Sequence, residues 1–213
     1  WQGRLHYQVP AWGRGFLDQQ LSQLSTHFST ATRLSQKLIV SNAANHQFDM
    51  ESWDISAAFL QGLSFSQIQH MCHKLGEPIP TVDRKAHITL PSNVWFHLKN
   101  AVFCTQDCNS LFWCIELLKG MYGLNDAPLL WQLCFRYYLL FHCNARRSIL
   151  DDNFYFWVYE DVDDNGEEVL KGECTAHVDD NNVASGQSHL TWLRSMIEDR
   201  FGPVSRQTIP YDH

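Results

Sequence analysis

The fold is decided by residues 153–186, which read NFYFWVYEDVDDNGEEVLKGECTAHVDDNNVASG. Two runs rich in aromatic and apolar residues, 153–160 and 169–178, lie on either side of an acidic loop that contains Asn165 and Gly166. An Asn-Gly pair between two such runs favours a turn, because both residues accept the positive φ that tight hairpins require. We therefore predict a β-hairpin with an exposed acidic loop.

Three acidic residues end predicted strands. Asp179 and Asp180 form the tip between the second run and a short strand through Val183, and Asp54 closes an alternating segment at 47–54. Neighbouring aspartates repel each other, and a divalent cation removes that repulsion; oxygen ligands favour Mg²⁺. If the two segments are adjacent, the carboxylates converge in a site that suits two Mg²⁺ ions and phosphoryl transfer. The alternative is that Asp-Asp-Asn-Asn is simply a hydrophilic turn.

The spacing predicts a helix over residues 30–46, with Thr30 or Thr32 as its N-cap. Its buried face is expected to comprise Leu34, Leu38 and Ile39. Residues 111–118 are a short apolar run that fits either a buried strand or a helix.

Two further helices are predicted after that run. Asp126 followed by Ala127 and Pro128 is typical of a helix start, and the helix should continue to about Cys143. Ser188 is expected to cap the last helix, which Gly202-Pro203 ends. Its apolar face comprises Leu190, Leu193, Ile197 and Phe201. The order of these elements fits an α+β fold: a split βαβ, ferredoxin-like antiparallel sheet with helices on one face.

Composition excludes several classes of protein. Hydrophobic residues make up 45% of the 213 residues and charged residues 18%, which excludes a disordered chain. The net charge of −7 argues against a broad basic surface for nucleic acid. Gln132 and Arg136 interrupt the most apolar stretch, so no membrane span is expected. Because the chain opens at Trp1 rather than Met, we expect a fragment of a longer protein, and without a charged and then apolar leader we do not expect secretion. The irregularly spaced, odd number of cysteines indicates reduced thiols and an intracellular protein.

The seven cysteines do not have the spacing of a disulfide framework. His70 and Cys72, followed by Cys104 and Cys108, offer soft and imidazole ligands for zinc, but their spacing is not that of a zinc finger. The alternative is a polar loop with buried thiols, and the role of this cluster stays open at this point.

Three motifs in order resemble those of copia-type retrotransposon reverse transcriptases. WDISAAFLQG (53–62) is similar to the motif with the first catalytic aspartate, LLKGMYGLNDAPLLWQ (117–132) to the Y-G-L-x-x-A-P-x-x-W segment, and AHVDDNNVASG (176–186) to the Y-V-D-D hairpin. Weaker likenesses at 14–20 and 190–204 extend the resemblance over nearly the whole chain. Three ordered motifs with compatible spacing are far more specific than a lone pair of aspartates.

The resemblance implies the fingers and palm of a polymerase, as one reverse-transcriptase-like domain over 1–213. About 1–46 and 64–110 would be fingers-like, and about 47–63 and 111–204 palm-like. The family's thumb and RNase H domains have no counterpart in this sequence. The family's location implies a cytoplasmic particle or the nucleus.

The resemblance also implies the site. Asp54, Asp179 and Asp180 would be catalytic residues that bind two Mg²⁺ ions, for which Mn²⁺ could substitute. A primer 3′-hydroxyl, paired to an RNA or DNA template, would attack the α-phosphate of a deoxynucleoside triphosphate. His177 and Val178 would belong to the hairpin at the primer end.

Phe59 matches the position where the family places an aromatic ring under the incoming sugar. Such a ring would exclude a ribose 2′-hydroxyl, so Phe59 is predicted to act as a sugar gate. The other residues implied for the nucleotide pocket are Tyr122, Gly123, Asp126 and Pro128. We expect Trp131, in the same segment, to pack within its helix.

Four positions depart from the family pattern. His177 stands where Tyr is common and Asp126 where Gln is frequent, which would bring a negative charge near the triphosphate. Asn181 and Asn182 replace apolar residues, and buried amides need partners. The alternative function is therefore a truncated, catalytically decayed remnant that at most binds nucleic acid or protein.

Overall fold

The structure, a computed structural model, describes residues 4–7, 20, 22, 28–80, 83–88, 113–162 and 165–210. The strands are β1 (Arg4–Tyr7), β2 (Asp49–Ile55), β3 (Ala86–Ile88), β4 (Trp113–Leu117), β5 (Arg146–Arg147), β6 (Phe154–Val162), β7 (Glu168–His177), β8 (Asp180–Ser185) and β9 (Val204–Thr208). The helices are α1 (Arg33–His46), α2 (Ala58–Gln61), α3 (Ile68–Leu75), α4 (Ala127–Phe141) and α5 (Gln187–Phe201).

The chain forms two compact units. One comprises residues 1–27 and 62–130, and the other 28–61 and 131–213. In this division α1 belongs to the second unit and β4 to the first, and the fingers-like and palm-like ranges stay a prediction. No helix within the described ranges is long and apolar enough to cross a membrane.

The first unit is built on a three-stranded antiparallel sheet in the order β1–β4–β3. The apolar run at 111–118, for which strand and helix were both open, therefore contributes a strand. Gly120 follows it and is buried. A Cβ at Gly120 would lie 3.2 Å from Ala127 Cα and 3.3 Å from Leu130 Cδ1, so a side chain at this position would require the start of α4 to shift by a few tenths of an ångström.

The second unit contains a six-stranded antiparallel sheet in the order β5–β6–β7–β8–β2–β9. The predicted hairpin is confirmed: β6 pairs with β7, and Gly166 in the connection has a φ of 80°. The fold is thus α+β with an antiparallel sheet, as expected.

Helices cover both faces of this sheet, so the prediction of helices on one face is wrong. On α1, Ile39 and Ala43 pack against Met50 and Ala184. Glu51, the neighbour of Met50 in β2, points to the opposite face because side chains alternate along a strand, and there it accepts a hydrogen bond from Arg194 of α5. The region before β2 folds back over the sheet, which the order of elements alone did not reveal.

The contacts of α1 correct the predicted buried face. Thr32 caps the helix, as one of the two predicted alternatives, and accepts a hydrogen bond from Ser35 N. The buried stripe is Ser35, Ile39 and Ala43, whereas Leu34 and Leu38 are exposed. A stripe of smaller side chains allows the helix to lie close to the sheet.

The opposite face is covered by larger side chains. The predicted apolar face of α5 is confirmed, since Leu190, Leu193, Ile197 and Phe201 are all buried. Its N-cap is Gly186 rather than Ser188, while Gly202 ends it as predicted. The rings of Phe201 and of Trp131 from α4 pack in a T-shaped arrangement, with 5.1 Å between centroids.

Candidate active site

Two of the three predicted acids are direct neighbours across the sheet. Asp54 near the end of β2 is the register partner of Asp180 at the start of β8. Side chains of directly opposite residues share a face and have Cβ atoms about 5 Å apart. Both aspartates are exposed. The chain therefore places two carboxylates side by side at one end of the central strand pair, on the face that carries α1.

The third acid lies in the turn between β7 and β8. His177 pairs with Asp180, so the connection consists of Val178 and Asp179 alone. Val178 has a φ of 58°, in the left-handed region. Two-residue hairpins need a positive φ at this position and usually place Gly or Asn there, because a β-branched side chain is strained in that conformation. Such strain persists only where surrounding contacts hold it.

Three hydrogen bonds hold the carbonyl groups of the turn. The amide of Ile55 donates to Asp179 O at 3.1 Å, and the side-chain amide of Asn181 donates to the same oxygen at 3.0 Å. Trp131 Nε1 donates to Val178 O at 2.7 Å. The first bond ties the residue after Asp54 directly to Asp179, so the positions of these two acids depend on one another through the backbone.

The expectation that Trp131 packs within the protein is confirmed. Its side chain is 0% exposed and stacks on Phe135 with 5.3 Å between ring centroids. Its hydrogen bond to the turn was not expected from the sequence, where Trp131 and Val178 are 47 residues apart. The Trp of the A-P-x-x-W segment and the aspartate pair of the hairpin are thus joined in one structural unit.

The other residues beside Asp54 are polar and uncharged, whereas His177 lies directly opposite Asp180. Ser205 of β9 lies opposite Asp54, and Ser52 pairs with both Asn182 and Gln207 one step further along the same face. Asn181 points to the other face and is buried, with its Oδ1 lacking a hydrogen-bond partner. The two asparagines that replace apolar residues therefore have different roles: one supports the turn and the other lies beside the acids.

The donor chemistry at the acid pair fits a hard divalent cation. Two carboxylates side by side, with a third in the adjoining turn, offer the oxygen ligands that Mg²⁺ takes from proteins, where one or two carboxylates are completed by water and phosphate oxygens. Among the described residues, however, no three His, Cys, Asp or Glu side chains lie together as a group that could hold a metal ion. The structure brings Asp54 and Asp180 together, and Asp179 joins them through the backbone only.

Phe59 lies in α2, which begins soon after β2 ends. Ala57 has a φ of 55° and its carbonyl accepts a hydrogen bond from Leu60 N, so the chain turns sharply after the strand. Gln61 fixes α2 by donating to Ser56 O at 2.9 Å and to Phe201 O at 2.6 Å. Phe59 is half-buried in this turn, and the sugar gate stays a prediction.

The predicted pocket residues of the first unit lie around the start of α4. Tyr122 is exposed, Gly123 has a φ of 96°, and Pro128 lies in the first turn of the helix. Asp126 is 3% exposed, and its carboxylate accepts hydrogen bonds from Arg84 Nε at 2.7 Å and Nη2 at 3.2 Å. Arg84 also lies over the Phe65 ring.

This buried ion pair changes the interpretation of Asp126. Its backbone carbonyl accepts the bond from Leu130 N that begins α4, which agrees with a helix start there. Its carboxylate, however, is compensated by Arg84 and does not bring the uncompensated negative charge that the sequence suggested. Arg84 is 42 residues away in the sequence, and no local pattern indicated the pair.

Two buried titratable groups of the second unit lie under its helices. Burial raises the pKa of Glu173 to about 7, against the opposing effect of a hydrogen bond from Asn42 Nδ2. Burial and the charge of Lys171 lower the pKa of His189 to about 4. Glu173 Oε2 and His189 Nε2 have no hydrogen-bond partner. His189 is therefore uncharged in the folded protein near neutral pH, whereas Glu173 gains and loses its proton in that range.

The possible zinc ligands are only partly described. His70 and Cys72 lie on α3, where His70 is exposed and Cys72 is buried. Burial, followed by the charge of Glu77, raises the pKa of the Cys72 thiol, which disfavours the thiolate that zinc requires. Cys104 and Cys108 lie outside the described residues.

We find no match between this chain and any protein-family model, curated protein or solved structure.

Proposed function

We propose that this chain is the fingers and palm portion of a copia-type RNA-directed DNA polymerase, which transfers nucleotides from deoxynucleoside triphosphates to a primer 3′-hydroxyl with two Mg²⁺ ions. The register of Asp54 opposite Asp180 carries the proposal, because it unites the first and third family motifs. These motifs are more than a hundred residues apart in the sequence. Their side-by-side placement is what a shared phosphoryl-transfer site requires.

The order of elements around the acids supports the same function. Along the chain, β2, α4, β7, β8, α5 and β9 follow the pattern β-α-β-β-α-β, and the four strands lie in the order β7–β8–β2–β9. This pattern is that of a split βαβ sheet, here extended by β5 and β6 at one edge. We therefore infer a polymerase palm, with the acids at the ends of its central strands.

We assign the roles in this proposed reaction to the following residues. Asp54 and Asp180, with Asp179 from the turn, would hold the cations through hard oxygen ligands. When bound, Mg²⁺ would neutralise charge on the triphosphate and on the attacking hydroxyl oxygen. The protein's part is positioning: the bonds to Val178 O and Asp179 O keep the turn in place without reorganisation.

Primer extension with Mg²⁺ tests the proposal on RNA and DNA templates. Asp54→Asn and Asp180→Asn should each lower extension at least about a hundred-fold, since each removes a cation ligand. Asp49→Asn is the matched control, because Asp49 is an exposed aspartate of the same strand that pairs with Ser185 instead of an acid. Equal activity of all three variants would contradict the proposed site.

A second candidate function is a decayed remnant that binds nucleic acid or protein without catalysis. It is favoured by the lack of a three-ligand metal group among the described residues and by the unpartnered Oδ1 of Asn181. Primer extension by the wild-type chain separates the two candidates. If extension is absent while gel-shift assays show a primer–template complex, the remnant is the better description; activity that requires Asp180 rejects it.

The proposed substrate choice has its own test. In an active chain, Phe59→Ala should raise ribonucleotide incorporation by roughly ten-fold or more, because a steric gate acts by excluding the 2′-hydroxyl. Deoxynucleotide use should change much less. Leu60→Ala is the control, since Leu60 is the exposed neighbour of Phe59 on α2. Unchanged discrimination in Phe59→Ala would assign this ring to packing.

A further inference from the structure

The turn beside the acids has a conformation that its own residues do not favour. Val178 occupies the left-handed region, which disfavours a β-branched side chain. Neither Val178 nor Asp179 is the glycine that would relieve this strain. The conformation must therefore be imposed by contacts from outside the turn.

Trp131 provides such a contact with a rigid donor. Its indole is stacked on Phe135 and packs in a T-shaped arrangement with Phe201, and its side chain is fully buried. The Nε1–H group consequently has a fixed position and direction. It donates to Val178 O at 2.7 Å, which fixes the orientation of the peptide between Val178 and Asp179.

The opposite side of the same turn is fixed independently. Asp179 O accepts hydrogen bonds from Ile55 N and from the Asn181 side chain. Both carbonyl groups of the two-residue turn are thus bound, one to the helix that begins at Ala127 and the other to the strands that carry the acids. Loss of the bond to Val178 O leaves the left-handed residue free to relax.

We infer that Trp131 is a positioning residue that holds the Val178–Asp179 turn in its strained conformation and thereby places Asp179 relative to Asp54 and Asp180. The role in catalysis rests on the proposed function; the hold on the turn does not. Trp131 touches neither carboxylate in this role and acts through the backbone of the turn.

A second buried tryptophan of the same unit provides a matched control. Trp157 Nε1 donates to the backbone carbonyl of Cys143, also at 2.7 Å, and the side chain is 4% exposed. Trp157 lies on β6, and the carbonyl it binds follows α4 and is not part of the turn. Trp131→Phe and Trp157→Phe therefore each remove one indole-to-carbonyl hydrogen bond, at two different places. If Trp131 only supported the fold in general, the two variants should change the turn to a similar extent.

The hydrogen-exchange rate of the Ile55 amide reports how firmly the turn is held, because this amide donates a hydrogen bond to Asp179 O. We expect Trp131→Phe to accelerate its exchange about ten-fold more than Trp157→Phe does, in keeping with the loss of one hydrogen bond. Equal acceleration in the two variants would overturn the inference. So would unchanged exchange in Trp131→Phe.

Val178→Gly supplies a rescue, since glycine adopts positive φ without strain. In the Val178→Gly background, Trp131→Phe should change Ile55 exchange much less than in the wild-type background. If Trp131→Phe alone does not fold, recovery of folding in the double variant supports the inference. Failure of the double variant, with Val178→Gly alone folded, counts against it.

Mn²⁺ titration separates this inference from the proposed function. The wild type should bind Mn²⁺ more tightly than Asp180→Asn, and Trp131→Phe should weaken Mn²⁺ binding about ten-fold while Trp157→Phe leaves it unchanged. If wild type and Asp180→Asn bind Mn²⁺ equally, the metal site of the proposed function fails, and the Ile55 result still decides the hold on the turn. If Trp131→Phe binds Mn²⁺ as tightly as the wild type and its Ile55 amide exchanges as slowly, the inference about Trp131 is overturned while the proposed function stands.

Discussion

The two faces of the six-stranded sheet are covered in different ways. On one face, α4 and α5 contribute large buried side chains, including Trp131, Leu193 and Phe201. On the other, α1 contacts the sheet through the smaller stripe of Ser35, Ile39 and Ala43 and leaves its leucines exposed.

Because of this difference, the face that contributes most to stability is not the face that carries the candidate site. Apolar area removed from water contributes roughly 25 cal/mol per Å², so the α4–α5 face should carry most of the stability. The α1 face contains the buried polar residues Glu173 and Thr175 and continues into the exposed pair Asp54 and Asp180. The candidate site therefore lies on the face with the thinner apolar cover.

The largest effect should come from truncating matched leucines on the two faces. Leu193→Ala on α5 removes a side chain that is 1% exposed and should lower the free energy of unfolding by about 3 kcal/mol. Leu34→Ala on α1 removes one that is 69% exposed and should cost less than about 0.5 kcal/mol. Urea denaturation measures both values, and similar losses would contradict the assigned faces.

Glu173 should make the stability of the protein depend on pH between about 4.5 and 7. Its pKa in the folded protein is about 7, above the value of 4.5 for an unperturbed carboxyl group, so the folded state binds more protons between these values. Stability should then fall as pH rises from about 4.5 to 7. Glu173→Gln should raise the free energy of unfolding at pH 8 by about 2 kcal/mol, after allowance for solvent screening.

The control for Glu173 is the same pair of proteins at pH 4. There the wild-type carboxyl group is mostly protonated in both the folded and the unfolded state, and the two proteins should differ little in stability. A constant difference between pH 4 and pH 8 would show that the carboxyl group does not titrate in this range.

His189 should give the α5 face the opposite pH dependence. Its pKa of about 4 lies below the unperturbed value of 6.5, so the unfolded state binds more protons between these values. Stability is complete above pH 6.5 and should be lost as pH falls toward 4. His189→Phe keeps a ring beside Trp157 and Trp192, and should remove about 1 kcal/mol of the wild-type loss between pH 7 and 5. Parallel pH profiles of the two proteins would refute this assignment.

The smallest effect should come from the acid pair. Like charges directly opposite each other destabilise a sheet, so Asp180→Asn should stabilise the protein by about 0.5 kcal/mol at low salt. Asp49→Asn lacks an acidic cross-strand partner and should change stability less. Thermal melts with and without Mg²⁺ measure both variants, and a destabilised Asp180→Asn protein would show that this carboxylate supports the fold.

The sequence predicted those elements whose signals are local. Alternation and an Asn-Gly pair identified the β6–β7 hairpin, and a period of 3.6 identified the buried face of α5, because a strongly apolar stripe has one way to face a core. On α1 the same reasoning was right only in part. Ile39 is buried as predicted, but Leu34 and Leu38 are exposed, and the packing of α1 on the sheet buries Ser35 and Ala43 in their place.

The sequence by itself determined the hairpin, the strand that ends near Asp54, and the presence of two acids at a turn, since these depend on neighbouring residues. Only the tertiary structure decided which residues complete the site. The register of Asp54 with Asp180, the bond from Trp131 to Val178 O and the pairing of Arg84 with Asp126 each join positions at least 42 residues apart. Such contacts form when packing brings distant segments together. Local patterns in the sequence do not indicate which distant residues become neighbours, because closing a long loop depends on the packing of the whole unit.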